Sequence, residues 1–323
     1  MKVFGYAAAH FAVDLCCALL LFRHFTGHPE WMLALLLYNF CAFALQLPFG
    51  ILADRLNRNH TVAAVGMLLV AVSFLFAKQM PLCVVVAGCG NALFHIGGGI
   101  EVLNKSVHKA FRSGLFVAPG ALGLFFGTHW GKSGLLLLPA PLLLALGGLL
   151  LLWFGRKKTA NDPPALPSMP VGLWALFGVV VLRSYLGFCM VFSWNNTFFT
   201  ALLLAVALVL GKAAGGFLLD RFGYLPTALL SLLPAAVGLL FPDQPILGIL
   251  GIFCFQMTMP ITLWAAAKGC SGAKGFSFGL LTFGLFLGAL PALLGAPLLG
   301  GFGVPAGILV SLLLLLPGRR CIP

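Results

Sequence analysis

The sequence is poor in charged residues, and poorest in acidic ones. Only 8% of its 323 residues are Asp, Glu, Lys or Arg, and seven of these are acidic. A soluble domain carries about 25% charged residues, so this composition excludes a soluble globular protein. Hydrophobic residues make up 61% of the chain, and the mean hydropathy is +1.08. The chain is therefore predicted to be an integral membrane protein.

Signatures of enzymes and resident cofactors are also missing. The nine cysteines form no Cys-x-x-Cys pair and no Cys/His zinc spacing, and most lie inside apolar runs. The run Gly97-Gly98-Gly99 follows no predicted strand and lacks the Lys-Ser/Thr tail of a phosphate-binding loop. No nucleophile–base pair is visible. We predict that the protein is not an enzyme and has neither a cofactor nor a resident metal.

Long apolar runs dominate the chain. Runs of about twenty residues separated by short polar pieces predict helices that cross a bilayer, whereas barrel strands would alternate over about ten residues. The one long polar stretch is a linker at 155–170, which separates residues 1–154 from residues 171–323. Each half is predicted to hold six helices. The twelve predicted spans are 4–22, 31–52, 61–77, 82–103, 114–129, 135–154, 171–192, 198–219, 225–241, 246–267, 275–294 and 296–316.

The positive charges follow this pattern. With the N-terminus inside, fourteen of the nineteen Lys and Arg residues fall in cytoplasmic segments, three in outer segments and two within spans. Positive residues collect on the cytoplasmic side of membrane proteins, so both termini are predicted to be cytoplasmic, in a cell (inner) membrane. The net charge of +12 is explained by topology and does not indicate nucleic-acid binding.

Two polar segments between spans repeat each other. Each reads Gly-x-x-x-Asp-Arg, and the two lie 166 residues apart in similar apolar contexts, which indicates an internal duplication. The residues that recur at this offset are Gly50, Asp54 and Arg55, matched by Gly216, Asp220 and Arg221. A glycine lets helices approach closely, and the aspartate can cap a helix N-terminus or pair with a base.

The first copy resembles the loop between the second and third helices of the major facilitator superfamily, whose pattern is Gly-x-x-x-Asp-Arg-x-Gly-Arg-Arg. Gly50, Asp54, Arg55 and Arg58 match it, while Asn57 stands where the second glycine belongs. The resemblance implies an all-α major facilitator fold with twelve transmembrane helices in two pseudo-symmetric halves. It also implies a monomer that moves a small molecule across the lipid bilayer by alternating access.

A cytoplasmic gate is expected around these repeats. In this hypothesis the carboxylates of Asp54 and Glu101 pair with Arg55, Arg58 or Arg112. The complete predicted gate set is Gly50, Asp54, Arg55, Arg58, Asp220, Arg221 and Glu101.

Ionisable side chains within spans are candidates for function, because each costs several kcal/mol in a bilayer unless it is paired or hydrated. His10 and Asp14 are four residues apart, and so share a helix face. We predict that they and His95 carry protons, and that they face Arg183 and Lys212 across a central cavity where the cations bind substrate. The other predicted substrate contacts are Asn91, Gln256, Tyr185 and Asn39.

Four further motifs resemble the fosmidomycin-resistance branch of the same superfamily. They are His10-Phe-Ala-Val-Asp14, Gln46-Leu-Pro-Phe-Gly50, Gly90-Asn-Ala-Leu-Phe-His95 and Leu182-Arg-Ser184. Leu47 and Ile96 depart from the branch pattern. The resemblance implies proton-driven export of a small phosphonate or similar anion, a form of antibiotic resistance by efflux. The chemistry agrees, because arginine binds oxyanions through two N–H groups and histidine changes charge near neutral pH.

Glycines recur within the fifth and eleventh predicted spans, at 114–127 and 279–291. Small residues three or four apart let helices pack backbone to backbone. Two interpretations are open: tight packing, or flexing of these spans between the halves.

Two other functions remain open. His10, Asp14 and His95 together suit a transition metal, so divalent-metal export is an alternative, although Arg183 and Lys212 would repel a metal from the same cavity. A lipid-handling or scaffold protein without ion coupling is the other, but it leaves the buried charges unexplained.

Overall fold

The computed structural model describes residues 3–134, 139–155 and 171–322, and over these ranges the chain is helical and contains no strand. The predicted linker 155–170 lies outside the described residues apart from Gly155, as do the first four residues of the predicted span 135–154. The helices are α1 (Val3–His24), α2 (Trp31–Asn39), α3 (Gln46–Leu56), α4 (Asn59–Ser73), α5 (Met80–Lys105), α6 (Phe111–Val117), α7 (Gly120–Lys132), α8 (Pro139–Phe154), α9 (Val171–Cys189), α10 (Phe198–Phe222), α11 (Tyr224–Gly238), α12 (Pro245–Gln256), α13 (Thr258–Gly269), α14 (Lys274–Leu293) and α15 (Gly303–Gly318).

Nine helical stretches in the described ranges are long and apolar enough to cross a membrane. They are Val3–His24, Trp31–Leu56, Asn59–Phe76, Met80–Lys105, Val171–Cys189, Phe198–Phe222, Pro245–Gly269, Lys274–Leu293 and Gly303–Cys321. This confirms the prediction of an all-helical, multi-pass chain. The last stretch begins seven residues later than the predicted 296–316. Three other predicted spans contain shorter helices: α6 with α7, then α8, and then α11.

The regular α-helix is interrupted within three stretches predicted as single spans, in each case at or before a proline. Pro119 divides the predicted span 114–129 into α6 and α7. Met257 separates α12 from α13, three residues before Pro260. A π-helical turn, Phe40–Ala44, ends four residues before Pro48. Proline lacks a backbone N–H, and its ring clashes with the carbonyl four residues earlier, so the regular helix is kinked or broken there.

The chain divides into two compact units. Unit 1 comprises the described residues of Met1–Asn104, Pro119–Leu166 and Gly272–Phe283. Unit 2 comprises those of Lys105–Ala118, Pro167–Ser271 and Gly284–Pro323. Each unit therefore holds most of one sequence half together with a short segment of the other. In unit 1 that segment is the start of α14, and in unit 2 it includes α6.

A stripe of glycines joins α7 to α1 within unit 1. Gly120, Gly123, Gly127 and Gly131 are all buried on one face of α7. A Cβ at Gly123 would collide with the backbone carbonyl of Phe11, and one at each of the other three would also press on α1. The two helices thus pack backbone to backbone, which favours the packing interpretation for this span.

Replacing Gly123 with alanine is expected to lower the free energy of unfolding by about 1–3 kcal/mol, the usual cost of overpacking. The matched control is Gly187→Ala in α9, where a Cβ meets nothing within 4 Å. Because alanine favours helix over glycine by up to about 1 kcal/mol, the control should be neutral or stabilising. Thermal unfolding in detergent measures both; equal melting temperatures would show that the stripe tolerates side chains.

Candidate functional site

Three titratable side chains meet between α1 and α5 in unit 1. His10 Nε2 lies 3.2 Å from Asp14 Oδ2, as the spacing of one helical turn predicts. His95 Nε2 lies 2.8 Å from His10 Nε2 and 3.8 Å from Asp14 Oδ1. The rings of the two histidines meet edge to face, with centroids 4.4 Å apart. Both histidines are buried, while 21% of the Asp14 side chain is exposed.

The geometry limits how many protons this cluster holds. His95 Nδ1 lies 2.9 Å from the backbone carbonyl of Asn91, which only accepts, so Nδ1 carries a hydrogen. The Nε2 atoms of His95 and His10 are in hydrogen-bond contact, so one of them carries the shared proton and the other accepts it. A second proton at this contact would oppose two N–H groups at 2.8 Å and force the rings apart. Protonation and side-chain geometry are thereby coupled.

Asn91 and Gly120 complete this cluster. Asn91 Nδ2 donates to Asp14 Oδ1 over 3.0 Å. Its Oδ1 is buried and has no hydrogen-bond partner among the described residues. A side chain at Gly120 would collide with His10 and Asp14, so glycine lets the first turn of α7 cover the pair. Asn91, predicted as a substrate contact, thus holds the carboxylate of Asp14.

Arg183 is a buried cation of unit 2. It lies in α9 with 7% of its surface exposed. Its Nη1 is buried without a hydrogen-bond partner, and in the part of the chain that the structure describes no carboxylate lies within 4.0 Å of the guanidinium. A buried charge is costly unless something compensates it. An anionic ligand would therefore compensate the buried charge of Arg183.

Three of the other four predicted substrate contacts have local partners. Lys212 Nζ donates to the carbonyl of Val117 over 3.4 Å. Tyr185 accepts a 3.0 Å hydrogen bond from the backbone of Leu299. Asn39 donates to Leu35 one turn earlier, over 2.8 Å, just before the π-helical turn. The fourth residue, Gln256, ends α12 at the break before α13.

Asp54 caps the start of α14 within unit 1. Its two carboxylate oxygens accept hydrogen bonds from the backbone N–H groups of Gly275 and Phe276, each over 2.8 Å. A Cβ at Gly50 would collide with the carbonyl of Gly275, so the glycine brings the two backbones together. A carboxylate at a helix N-terminus is favourable, because it satisfies unpaired N–H groups and opposes the helix dipole.

Asp220 does the same in unit 2. Its oxygens accept from the N–H groups of Ala110 and Phe111 over 2.6 and 3.0 Å, at the start of α6. The duplicated aspartates therefore bind helix starts from the opposite half of the sequence. The arginines that follow in the two motifs, Arg55, Arg58 and Arg221, are exposed.

The expected pairing of Glu101 with Arg55, Arg58 or Arg112 was wrong. Glu101 is buried in unit 1, where its oxygens lie 3.3 Å from His60 Nε2 and 3.4 Å from Asn59 Nδ2. Arg112 donates instead to the carbonyl of Lys105. Burial explains the difference. A long arginine side chain extends its charged end to water, whereas an imidazole can be buried beside the carboxylate.

Sequence reasoning missed Tyr6 and His60, which bond to each other next to Glu101. A signal was present, since Tyr6, His10 and Asp14 recur every four residues on one face of α1.

The cluster of His10, Asp14 and His95 also fits a cation. One ligand atom from each residue lies within 4.8 Å of the others. The hydrogen bond of His95 Nδ1 to a carbonyl orients Nε2 in the way that metal-binding histidines are held.

Comparison with solved structures gives the fold. A variant of the E. coli fucose:proton symporter FucP matches 99% of this chain and 98% of its own, at 13% identity and a TM-score of 0.67. FucP in the outward conformation matches 97% and 98%, at 14% identity and a TM-score of 0.59. The human organic anion transporter MFSD10 matches 98% and 100%, at 17% identity and a TM-score of 0.68.

No protein-family model and no curated protein sequence matches the chain. The structural likeness nevertheless shows that this chain has the fold of major facilitator superfamily transporters, as the Gly50–Arg58 motif predicted.

Proposed function

We propose that the protein is a secondary active transporter that exchanges protons for a small organic anion and exports the anion by alternating access. The observation that carries the proposal is the buried contact among His10, His95 and Asp14. Its shared proton ties the occupancy of the cluster to the positions of the two rings. A group that moves when it is protonated is what proton coupling requires.

The anionic character of the substrate rests on Arg183. Its guanidinium is buried with no anionic partner among the described residues, so it is suited to a carboxylate or phosphonate, which it can hold through two parallel hydrogen bonds. Gln256, Tyr185, Asn39 and Lys212 remain candidates for further substrate contacts. Of the structural neighbours, FucP is described as a proton symporter and MFSD10 as an organic anion transporter, so both parts of the proposal have precedent in this fold.

The proposed topology has twelve spans, with α6–α7, α8 and α11 completing the nine long ones. Shorter helices suffice where the neighbouring bilayer thins or flanking residues reach its surface. Both termini are then cytoplasmic in an inner membrane, because this orientation puts most Lys and Arg residues inside. In this proposal the protein works as a monomer and belongs with the fosmidomycin-resistance exporters.

Adding a panel of small phosphonates and carboxylates to purified protein in weakly buffered detergent is expected to release protons. Asp14→Asn should abolish the release, because it removes the carboxylate that holds the charge of the two histidines. An indicator dye in the medium measures the effect. Glu30→Gln, in an exposed turn, is the control. Release that survives in Asp14→Asn, or none from wild type, would overturn anion antiport through this cluster.

The fit of His10, Asp14 and His95 to a cation favours export of a divalent metal as the second candidate function. Saturable Zn²⁺ or Mn²⁺ binding that a chelator reverses and His95→Ala removes would support it. Neutral imidazoles are needed to bind a metal, so metal binding would also release protons, but without any added anion.

A further inference from the structure

A second chain of titratable groups lies in unit 1, beside the proton cluster and separate from it. The hydroxyl of Tyr6 bonds to His60 Nδ1, and His60 Nε2 lies 3.3 Å from Glu101 Oε2. Three helices supply one member each: α1, α4 and α5. Tyr6 is fully buried and Glu101 is 1% exposed, whereas the His60 side chain is 13% exposed. His60 is therefore the most exposed of these three linked residues.

One protonation state of the three residues satisfies the contacts just described. An ionised Glu101 accepts from His60 Nε2–H, and the bare Nδ1 of a neutral His60 accepts from the hydroxyl of Tyr6. Asn59 Nδ2 also donates to Glu101, over 3.4 Å. At the end of α8, Gly155 packs against His60 and adds no titratable group. In this state the three side chains together carry one negative charge, which a single added proton neutralises.

Tyr6 and Glu101 lie on the same two helices as the His10–Asp14–His95 cluster. Tyr6 precedes His10 by four residues of α1, about 6 Å along the axis, on the same face. Glu101 follows His95 by six residues of α5, about 9 Å along its axis. A separation of this size can be bridged by one or two hydrogen-bonded waters. At the other end, His60 is the second residue of α4, two residues after the exposed Arg58 of the predicted gate set.

We propose that Tyr6, His60 and Glu101 form a second proton-binding station, which passes protons between the His10–Asp14–His95 cluster and the membrane face at the start of α4. This inference deepens the proposed function and rests on it for its direction. An exporter driven by an inward proton gradient would use the station as the exit to the cytoplasm.

The transfer is balanced in protons. A proton arriving from the cluster binds the Tyr6 oxygen as the original hydroxyl proton moves to His60 Nδ1. The Nε2–H bond of His60 breaks, and that proton forms an O–H bond on Glu101. The station is then neutral and holds one extra proton. Loss of one proton to water through His60 restores the ionised carboxylate and the first tautomer of the imidazole.

Infrared difference spectra of purified wild type between about pH 8 and about pH 5, the range in which histidine environments titrate, test whether the station binds a proton. The carboxylic-acid band is expected to contain one component that Glu101→Gln removes. Glu30→Gln, which alters an exposed carboxyl, should leave it in place. A band unchanged in Glu101→Gln would overturn the proposal.

Time-resolved spectra after a pH jump test the pathway. Tyr6→Phe removes one hydroxyl and should slow protonation of the remaining carboxyls by about tenfold or more, since a positioned proton donor accelerates transfer by at least this factor. The matched control is Tyr224→Phe in unit 2, whose buried hydroxyl donates to the carbonyl of Leu315. Equal rates in wild type and Tyr6→Phe would exclude the pathway.

The two hypotheses fail separately in these spectra. If Asp14→Asn changes no component of the band, the proposed coupling cluster fails whatever Glu101 does. If Asp14→Asn removes a component and Glu101→Gln does not, coupling stands and the second station fails.

Discussion

Arg183→Gln is expected to lose anion binding and gradient-driven transport while keeping or raising stability. Truncating one partner of a buried charge pair costs about 2–5 kcal/mol, so affinity for a phosphonate or carboxylate should fall by about 30-fold or more. Among the residues that the structure describes, no anionic partner compensates the Arg183 charge. Removing this charge therefore relieves a desolvation penalty on the folded state, and the relief favours folding. A loss of function combined with unchanged or higher stability is therefore the specific expectation.

Calorimetric titration with the anion panel and thermal unfolding in detergent measure the two quantities. Arg183→Lys keeps the charge but loses the planar fork, so its affinity should lie between those of wild type and Arg183→Gln. Arg23→Gln, at an exposed position near the end of α1, is the control for losing one positive charge. Normal binding with reduced stability in Arg183→Gln would instead identify Arg183 as part of a static polar network, as in a scaffold protein.

Asp54→Ala is expected to loosen the start of α14. The substitution removes the acceptor of two backbone hydrogen bonds in a buried setting, and hydrogen bonds to a charged group contribute about 1.5–3 kcal/mol each. Amide hydrogen exchange at Gly275 and Phe276 should accelerate by about 30-fold or more, the ratio that corresponds to about 2 kcal/mol. Transport should change with it, because the cap holds segments from both sequence halves in one unit.

Asp220→Ala is the internal comparison for this prediction. Asp220 accepts two equivalent hydrogen bonds but is exposed, so water can replace part of its stabilising effect. The acceleration of amide exchange at Ala110 and Phe111 in Asp220→Ala should therefore be smaller. Asp243→Asn, a surface carboxyl bonded to Ser193, controls for loss of a negative charge. Unchanged exchange at Gly275 in Asp54→Ala would show that the cap does not stabilise the helix start.

The duplicated motif predicts equivalent positions but not their partners. Asp54 and Asp220 were identified as equivalent because they occupy one offset in two similar contexts. Their partners were not identifiable, because Gly275 lies 221 residues from Asp54 and a backbone N–H carries no sequence signal. The same limit explains the error at Glu101, for which arginines near in sequence were expected and a histidine from α4 was found.

Helix breaks were missed for a related reason. Pro48, Pro119 and Pro260 are visible in the sequence, but a proline within a membrane span is compatible with either a kink or a complete break. Which one occurs depends on the neighbouring helices that take up the freed carbonyl groups.

The sequence by itself determined that the chain is helical, polytopic and duplicated, and that His10, Asp14, His95 and Arg183 lie within apolar spans. The helical spans follow from the transfer of each segment from water to lipid, which depends on local composition, and the duplication follows from the repeated Gly-x-x-x-Asp-Arg motif. Only the tertiary structure decided that the two histidines are in hydrogen-bond contact, that no carboxylate among the described residues lies beside Arg183, and that Tyr6, His60 and Glu101 meet. Contacts of this kind depend on the relative positions of helices distant in sequence, and hydrophobicity, being non-directional, does not specify them.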